Sequence, residues 1–290
     1  MTTDMGGVAY PAPSGSSRCS SIVRTFRPLA VAVALFASAA SFAQDQRSEL
    51  RVCADPSNLP YSAQDQSGFE NKIAALLAED MHLKVSYTWF PQVTGFVRNT
   101  LGAQKCDLVM GTVSGEELMA NTTAYYHTGY MIVTRTADKI TATSLGDPIF
   151  KDKKIGLIAR TPPVDSVVKY GLTKQVVPYD LVTDTRVVQA PRELLKDLAK
   201  GEVDVALVWG PQAGYFIKQD KLPLTAAFLT QDEGGARLDY HIAMGVRSVD
   251  TEWRRQISDE IVKNKDKIQA ILLDYGVPLL DEQNKAIKGK

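Results

Sequence analysis

The sequence predicts an α/β protein shaped as a two-lobed clamshell, in which two parallel-rich sheets are joined by a two-strand hinge. Short apolar runs alternate with amphipathic segments, which is typical of parallel sheets covered by helices. The series strand, helix, strand, helix, strand occurs twice, over 50–113 and over 154–209. Two more apolar runs, 130–135 and 240–246, lie where they can connect the two halves as a hinge.

The N-terminal residues have the pattern of a secretory signal peptide. Three arginines precede an apolar run at 29–40, and the small residues Ser41 and Ala43 follow at the two positions that signal peptidase reads. The apolar run has about a dozen residues, whereas a membrane span needs about 20. We therefore predict a signal peptide at 1–43 with cleavage near Ala43, a periplasmic mature protein, and no membrane insertion after processing.

The first half of the chain predicts three strands and two helices. Each predicted strand is a short apolar run, and the first helix carries apolar residues on one face, as Phe69, Ile73 and Leu77 show. In chain order the elements are a strand at 50–55, a helix at 68–82, a strand at 84–90, a helix at 95–104 and a strand at 107–113.

The second half repeats these signals and continues into a C-terminal helix. In chain order it predicts a strand at 154–159, a helix at 164–171, a strand at 175–182, a helix at 190–201, a strand at 203–209, an apolar run at 222–229, a strand at 240–246 and a helix at 250–275. The simplest topology returns the last strand and helix to the first half. We therefore assign 44–134 and 240–290 to lobe 1, and 135–239 to lobe 2.

Charge balance and missing motifs exclude several functions. Lysine plus arginine and aspartate plus glutamate both number 33 and are interspersed, so the basic excess expected for a nucleic-acid partner is missing. The sequence has no C-x-x-C, H-E-x-x-H, calcium-loop or glycine-rich phosphate-loop motif, so we predict no metal and no cofactor. An enzyme with Asp55 or Glu70 as general base is an alternative that no neighbouring motif supports, and we predict a binding protein instead.

Two cysteines, Cys53 and Cys106, remain after the predicted processing, in a compartment that permits disulfides. They lie in the first predicted strand and at the start of the third, so they can meet if those strands are neighbours. Sequence spacing cannot establish the geometry, and two separate buried thiols are an equal alternative. A catalytic thiol is disfavoured, because no histidine is close to either cysteine in the sequence.

Candidate binding residues follow the predicted strand ends, because open α/β sheets bind ligands at the carboxyl ends of their strands. Trp209 ends a strand and precedes a predicted turn at 210–211, which favours a place in the cleft wall over the alternative of filling the core. Arg160 and Thr161 precede a helix whose backbone donors suit an anion, with a solvated turn as the alternative for Arg160. The predicted ligand or partner cleft comprises Asp55, Asn58, Tyr61, Glu70, Thr112, Ser114, Tyr125, Tyr126, Arg160, Thr161 and Trp209.

The segment GFENKIAALLAEDM at 68–81 resembles the glycine, aromatic, acid and helix signature of type II periplasmic solute-binding proteins, in the family that includes polar amino-acid receptors. The resemblance covers essentially the whole mature chain and implies the clamshell fold. That family places an arginine after the third strand for the ligand carboxylate and an aspartate at a later strand end for the ammonium group. This chain has Gly115 and Trp209 there, so the resemblance does not imply an ordinary amino-acid receptor.

A more specific resemblance is to the MoxJ and XoxJ branch of this family, which is associated with quinoprotein alcohol dehydrogenases and encoded in methanol-oxidation clusters. One departure is that the branch usually has two arginines where this chain has Val93 and Thr94. The segments that carry the resemblance are LRVCADPSNLPYS (50–62), GFENKIA (68–74), YTWFPQ (87–92), GFVRNTL (95–101), KCDLVMG (105–111), WGPQAGYF (209–216), MGVRS (244–248) and YGVPLLD (275–281).

The branch resemblance implies an accessory factor that binds a quinoprotein alcohol dehydrogenase and assists its maturation or activation. Because of the departure at Val93 and Thr94, the partner is expected to be a quinoprotein dehydrogenase other than methanol dehydrogenase. The alternative is a solute receptor that delivers a small, non-amino-acid ligand, uncharged or anionic, to the permease of an ABC transporter. Fold alone favours the alternative, and fold does not settle function.

Overall fold

The computed structural model describes residues 47–115, 118–181 and 184–287. The predicted signal peptide and its cleavage position near Ala43 lie outside these ranges. No helix within the three described ranges is long and apolar enough to cross a membrane. The long strands form two mixed sheets, one in each predicted lobe, which are continuous through one shared strand.

Lobe 1 is built on three parallel strands. Strand β1 (Glu49–Ala54) lies between β2 (Lys84–Trp89) and β3 (Leu108–Val113) and pairs in parallel with both. This neighbour relation brings the first and third predicted strands together. The prediction of a parallel-rich sheet in this half is therefore confirmed.

Helix α1 (Phe69–Asp80) packs on the lobe 1 sheet and places Glu70 in its first turn. The Asn71 side-chain oxygen accepts hydrogen bonds from the Gly68 amide at 3.2 Å and the Ala63 amide at 3.0 Å. The bond from Gly68 satisfies the amide of the residue that caps the helix, and the bond from Ala63 ties the helix start to the preceding short strand. Apolar residues at helical spacing form the inner face, and those that are fully buried are Phe69, Ile73, Ala74 and Leu77.

Helix α2 (Phe96–Asn99) is a single turn, shorter than the predicted helix at 95–104. The Thr100 backbone leaves the helical region, with φ −118° and ψ −84°. Its hydroxyl donates to the Phe96 carbonyl oxygen at 2.7 Å. A threonine that bonds back to the preceding turn competes with continued helix, which accounts for the early end.

Lobe 2 is built on a second sheet, which the long strand β4 (Tyr126–Arg135) enters. Its next strands are β5 (Ile155–Ile158), β6 (Val176–Tyr179), β7 (Val205–Trp209) and β8 (Leu224–Phe228). Strands β5, β6 and β7 are parallel, whereas β7 and β8 flank β4 antiparallel. The helices of this lobe are α3 (Pro163–Lys169), α4 (Ala190–Lys200) and α5 (Gly210–Gln219).

Helix α5 begins directly after Trp209, where the sequence predicted a turn at 210–211. That prediction was wrong because proline in the first helical turn has no amide partner to lose and already has a helical φ. Gly210 is needed for a different reason. A Cβ at Gly210 would lie 2.6 Å from the Gly129 carbonyl oxygen, so the helix start packs tightly on β4.

Strands β4 and β9 (Asp239–Val246) connect the two sheets as the predicted hinge pair. Residues 126–129 of β4 pair with β9, and residues 130–133 pair with β7. The sheet therefore changes partner between Gly129 and Tyr130, earlier than the predicted division at 134/135. We propose lobe 1 as 47–129 with 239–287, and lobe 2 as 130–238. The sequence predicted a start at 130, four residues after the observed start, because residues 126–129 are polar, aromatic or glycine rather than aliphatic.

The C-terminal helix predicted at 250–275 is two helices, α6 (Thr251–Lys263) and α7 (Lys265–Asp274). Asn264 separates them, with φ −101° and ψ 13°. Its side-chain amide donates to the Asp80 carboxylate at 2.9 Å and to the Glu260 carbonyl at 3.1 Å. Tertiary contact with α1 thus ends α6, although the apolar periodicity continues. The buried apolar residues of both helices are Trp253, Ile257, Ile261, Ile268 and Leu272.

A disulfide joins Cys53 of β1 to Cys106, the residue two before β3, with a Cα–Cα distance of 5.4 Å. This is one of the two arrangements that the sequence left open. The bridge lies in a small apolar cluster, separate from the main core of lobe 1. That cluster contains Phe96, Leu101, Val109 and Met119.

The remaining elements are short. Two-residue strands occur at Ser57–Asn58, Ser62–Ala63, Ala120–Asn121, Leu279–Leu280 and Ala286–Ile287. Three-residue 3-10 helices occur at Thr136–Asp138, Pro148–Phe150 and Thr173–Gln175. Lobe 2 has two apolar clusters, which include Leu194 and Phe216 in one and Phe150 and Leu207 in the other.

Candidate ligand cleft

A cavity with a volume of about 1040 Å³ is lined by residues of both lobes. This is the upper end of the range for small-molecule sites in proteins. The predicted residues that line it are Asp55, Asn58, Tyr61, Glu70, Tyr126, Thr161 and Trp209.

Four predicted residues do not line this cleft. In β3, Gly111 and Val113 line the cleft, whereas Thr112 is buried and lines only a smaller neighbouring cavity, which Gly111 and Val113 also reach. The Ser114 amide donates to the His241 carbonyl at 3.0 Å, so this residue ties β3 to β9. The other two are Tyr125 and Arg160.

Tyr125 and Arg160 are outside the cleft for different reasons. Tyr125 is buried in the lobe 1 core, where its hydroxyl oxygen accepts the Gly111 amide at 3.2 Å. Arg160 is exposed, has a left-handed φ of 62°, and occupies the turn between β5 and α3. Of the predicted pair, only Thr161 therefore reaches the cleft wall, and its hydroxyl donates to the Ile158 carbonyl at 2.6 Å.

Asp55 and Asn58 position a loop rather than offer free groups to a ligand. The Asp55 carboxylate accepts the Ser57 amide at 2.8 Å and the Gln92 amide at 2.6 Å. The Asn58 amide donates to the Gln92 side-chain oxygen at 2.9 Å. These bonds hold the loop at 91–94, which lines the cleft mouth.

Glu70 is the buried acid of the cleft. It is 9% exposed, and no hydrogen bond to its carboxyl group is found among the described residues. Its Oε1 lies so close to β3 that a Cβ at Gly111 would be 2.1 Å away. Burial raises the pKa of Glu70 to about 8, because desolvation disfavours the charged form.

Aromatic side chains form much of the remaining wall. The Trp209 ring lies 5.0 Å from the Tyr130 ring and 5.9 Å from the Tyr240 ring, measured between centroids. Burial raises the pKa of the Tyr61 hydroxyl well above its usual range, Glu70 adds to the shift, and hydrogen bonding with Trp209 opposes it. Trp209 thus lines the cleft while also packing against the lobe 1 core.

Sequence reasoning missed two loops of the cleft wall, one at 91–94 and one whose described residues are 180–181 and 184–189. Both follow strand ends, of β2 and β6, so the rule that selected Asp55 was available for them as well. The second loop approaches lobe 1, since the Ser57 hydroxyl donates to the Thr185 carbonyl at 3.3 Å. Three of the described residues in these loops carry charge: Asp180, Asp184 and Arg186.

The arrangement is suited to binding. Within the ranges that the structure describes, no group of three or more histidine, cysteine, aspartate or glutamate residues is placed to hold a metal ion. The two cleft acids proposed as alternative general bases differ in environment, because Asp55 is fully bonded to backbone amides and Glu70 is not. Neither has a nucleophile hydrogen-bonded to it among the described residues.

Comparison with known proteins identifies the chain's relatives. A family model for bacterial extracellular solute-binding proteins, family 3, matches residues 50–276. Protein MoxJ of Methylorubrum extorquens strain AM1 is 28% identical over 264 residues, covering 85% of this chain and 86% of that protein.

Two solved structures share the fold over 80% of this chain and 100% of their own length. The periplasmic binding protein XoxJ from Methylobacterium extorquens AM1 has 36% identity and a TM-score of 0.69. MxaJ from Methlophaga aminisulfidivorans MPT has 28% identity and a TM-score of 0.69. These matches confirm the predicted two-lobed type II fold and the resemblance to the MoxJ and XoxJ branch. The chain belongs to family 3 of the bacterial extracellular solute-binding proteins.

Proposed function

We propose that this protein is a periplasmic accessory factor that binds a quinoprotein alcohol dehydrogenase and assists its maturation or activation. The observation that carries the proposal is the similarity to XoxJ over the whole length of that protein, at 36% identity. The proposal includes export through the predicted signal peptide at 1–43. The protein then meets the dehydrogenase in the periplasm.

The cleft supports this proposal over an amino-acid receptor. An amino-acid ligand carries two charges, and each charge-assisted hydrogen bond lost in a desolvated cleft costs about 1.5 to 3 kcal/mol. At the two anchor positions the chain has Gly115, which is exposed and outside the cleft, and Trp209, which is apolar. A free amino acid would therefore lack a charged partner for its carboxylate and one for its ammonium group at these two positions.

The mouth of the cleft offers a surface for a protein partner. Exposed apolar side chains lie on and beside it: Val93 is 50% exposed, Val113 is 38% exposed, and Leu118 is 72% exposed. We call these three residues the apolar rim. Val93 occupies one of the two positions where the branch usually has arginine. We therefore infer that the surface of the partner protein that contacts the apolar rim is less acidic than the matching surface of methanol dehydrogenase.

Deleting the gene in its own organism tests the proposal. We expect alcohol-dependent dye reduction by periplasmic extracts to fall several-fold, while the amount of dehydrogenase polypeptide per cell, measured by mass spectrometry, stays within twofold. Complementation should restore activity with wild-type protein but not with Val93→Asp, which charges the apolar rim. The control is Val249→Asp, because Val249 is 83% exposed and lies outside the cleft. Full activity in the deletion strain would contradict the proposal.

A second candidate function is a solute receptor of an ABC transporter for a small, non-amino-acid ligand. The cavity of about 1040 Å³ favours it, because this volume is far larger than a structural void requires. Its test is uptake: a receptor predicts that the deletion strain loses transport of one solute while its dehydrogenase activity is unchanged. The accessory role predicts the reverse pattern.

A further inference from the structure

We propose that the cleft binds a small organic cation, whose ammonium group lies against the Glu70 carboxylate and the aromatic wall. The inference uses the same cleft as the proposed function and names the class of ligand that it takes. It does not require the dehydrogenase to be the partner. Three features of the described residues carry it: the charge of the lining, the state of Glu70, and the aromatic rings.

The charge of the lining favours a cation over an anion. Among the described lining residues, the acids are Asp55, Glu70, Asp180 and Asp184, and Arg186 is the single arginine or lysine. Arg186 is already paired, with Nε 2.9 Å from Asp184 Oδ1 and Nη2 2.7 Å from Asp184 Oδ2. The expectation of an anionic ligand, based on Arg160, therefore has no support from the residues that line the cleft.

Glu70 is the buried acid of the lining that has no partner among the described residues. The two oxygens of Asp55 are each bonded to a backbone amide, whereas Glu70 is nine-tenths buried without a hydrogen bond among the described residues. A buried carboxylate is stable only when it is paired or hydrogen-bonded. A bound cation supplies the missing partner, and Gly111 leaves room for the carboxyl group at this point of the wall.

Aromatic rings can stabilise the rest of the cation. The faces of tryptophan and tyrosine carry negative charge density that attracts organic cations within about 6 Å, and tryptophan is the strongest. Trp209 is in ring contact with Tyr130 and with Tyr240 on the lobe 2 and hinge side of the cleft. The Arg237 guanidinium lies 5.2 Å from the centroid of the Tyr240 ring, which leaves Trp209 and Tyr130 as the rings for a bound cation on this side. Tyr61 and Tyr126 line the lobe 1 side, near Glu70.

This arrangement couples binding to pH in a direction that can be worked out. Burial raises the pKa of Glu70 to about 8, so the carboxyl group is mostly neutral at pH 7 without ligand. A cation binds the ionised form more tightly, so binding releases a proton. Apparent affinity should rise about tenfold per pH unit below the pKa and level off above it.

Choline is the probe, because its quaternary ammonium group does not titrate. Its uncharged isostere, 3,3-dimethylbutan-1-ol, has nearly the same shape. Both are titrated by calorimetry into the purified, disulfide-bonded mature protein from about pH 6 to about pH 9. We expect choline to bind at least tenfold more tightly than the isostere at the upper end, with the rise in affinity described above.

Glu70→Gln removes the charge without changing the shape of the side chain, so it should abolish both the pH dependence and the preference for choline. The matched control is Glu79→Gln, since Glu79 is exposed on the same helix. Thermal melting shows that both variants are folded. Equal binding of the two ligands, a flat pH profile, unchanged binding by Glu70→Gln, or no binding of choline up to tens of millimolar would each overturn the inference. The dehydrogenase test is separate, so either proposal can fail while the other stands.

Discussion

Reducing the Cys53–Cys106 disulfide should destabilise the mature protein strongly. The bridge joins β1 to the residues before β3 across a sequence separation of 53 residues. It packs against Phe96, at the start of the helix that follows the cleft loop at 91–94. Reduction removes the cross-link while leaving every side chain in place, so it isolates the effect of the covalent bond.

The expected magnitude follows from the size of the loop that the bridge closes. For a loop of 53 residues, the chain-entropy relation gives about 14 cal/mol/K, or about 4 kcal/mol at room temperature. Both cysteines are buried, at 3% and 0% exposure, so the thiols formed on reduction stay in apolar surroundings. For a chain of this length about 4 kcal/mol corresponds to a fall in Tm of about 10 °C.

Urea unfolding of oxidised and reduced protein, followed by far-UV circular dichroism, measures this difference. The control is the Cys53→Ala and Cys106→Ala double variant, whose stability should be the same with and without reductant and close to that of the reduced wild type. A difference below about 1 kcal/mol between oxidised and reduced wild type would refute the loop-entropy reasoning. It would mean that the unfolded chain is already compact around this pair.

Two further predictions concern a buried carboxylate, Asp107, and a glycine with positive φ, Gly111. Asp107→Asn should cost about 3 kcal/mol in urea unfolding at neutral pH, because it removes the partner of Arg51, 2.6 Å away, and of Arg247. Burial alone would raise the pKa of Asp107, but the hydrogen bonds from these arginines lower it to about 2. The folded state thus favours the ionised form of Asp107. Its contribution to the free energy of unfolding is complete above the usual pKa of an aspartate and is lost as pH falls. The difference in stability between wild type and Asp107→Asn should therefore disappear as pH approaches about 2. Gly111 has φ +59° and lies against Glu70, so Gly111→Ala should lower the free energy of unfolding by about 1 to 2 kcal/mol in thermal melting and should remove choline binding. An unchanged Tm and an unchanged choline affinity would show that the Glu70 side chain can move away from the added methyl group.

The sequence predicted the order and class of nearly all long elements. Apolar runs bounded by turn residues identified the strands, and helical spacing of residues such as Phe69, Ile73 and Leu77 identified α1. The errors were at element ends. The break at Asn264 depends on a bond to Asp80, which is remote in sequence, and local periodicity carries no information about it.

The candidate cleft was predicted in part. The strand-end rule selected Asp55, Glu70 and Trp209, which line the cleft. It also selected Thr112, which is buried beside the smaller neighbouring cavity and does not line the cleft. Knowing which face of β3 is the cleft wall requires the position of the second lobe.

The sequence by itself determined the α/β class, the duplicated strand and helix series and the family resemblance, because each of these depends on local pattern and composition; the export signal remains a prediction from the same kind of pattern. Only the tertiary structure decided that Cys53 and Cys106 are joined, that Asp55 is satisfied by backbone amides, and that Glu70 is buried without a hydrogen-bond partner among the described residues. The physical reason is that burial and pairing depend on groups brought together from distant parts of the chain. The ligand class that we propose rests on those non-local contacts.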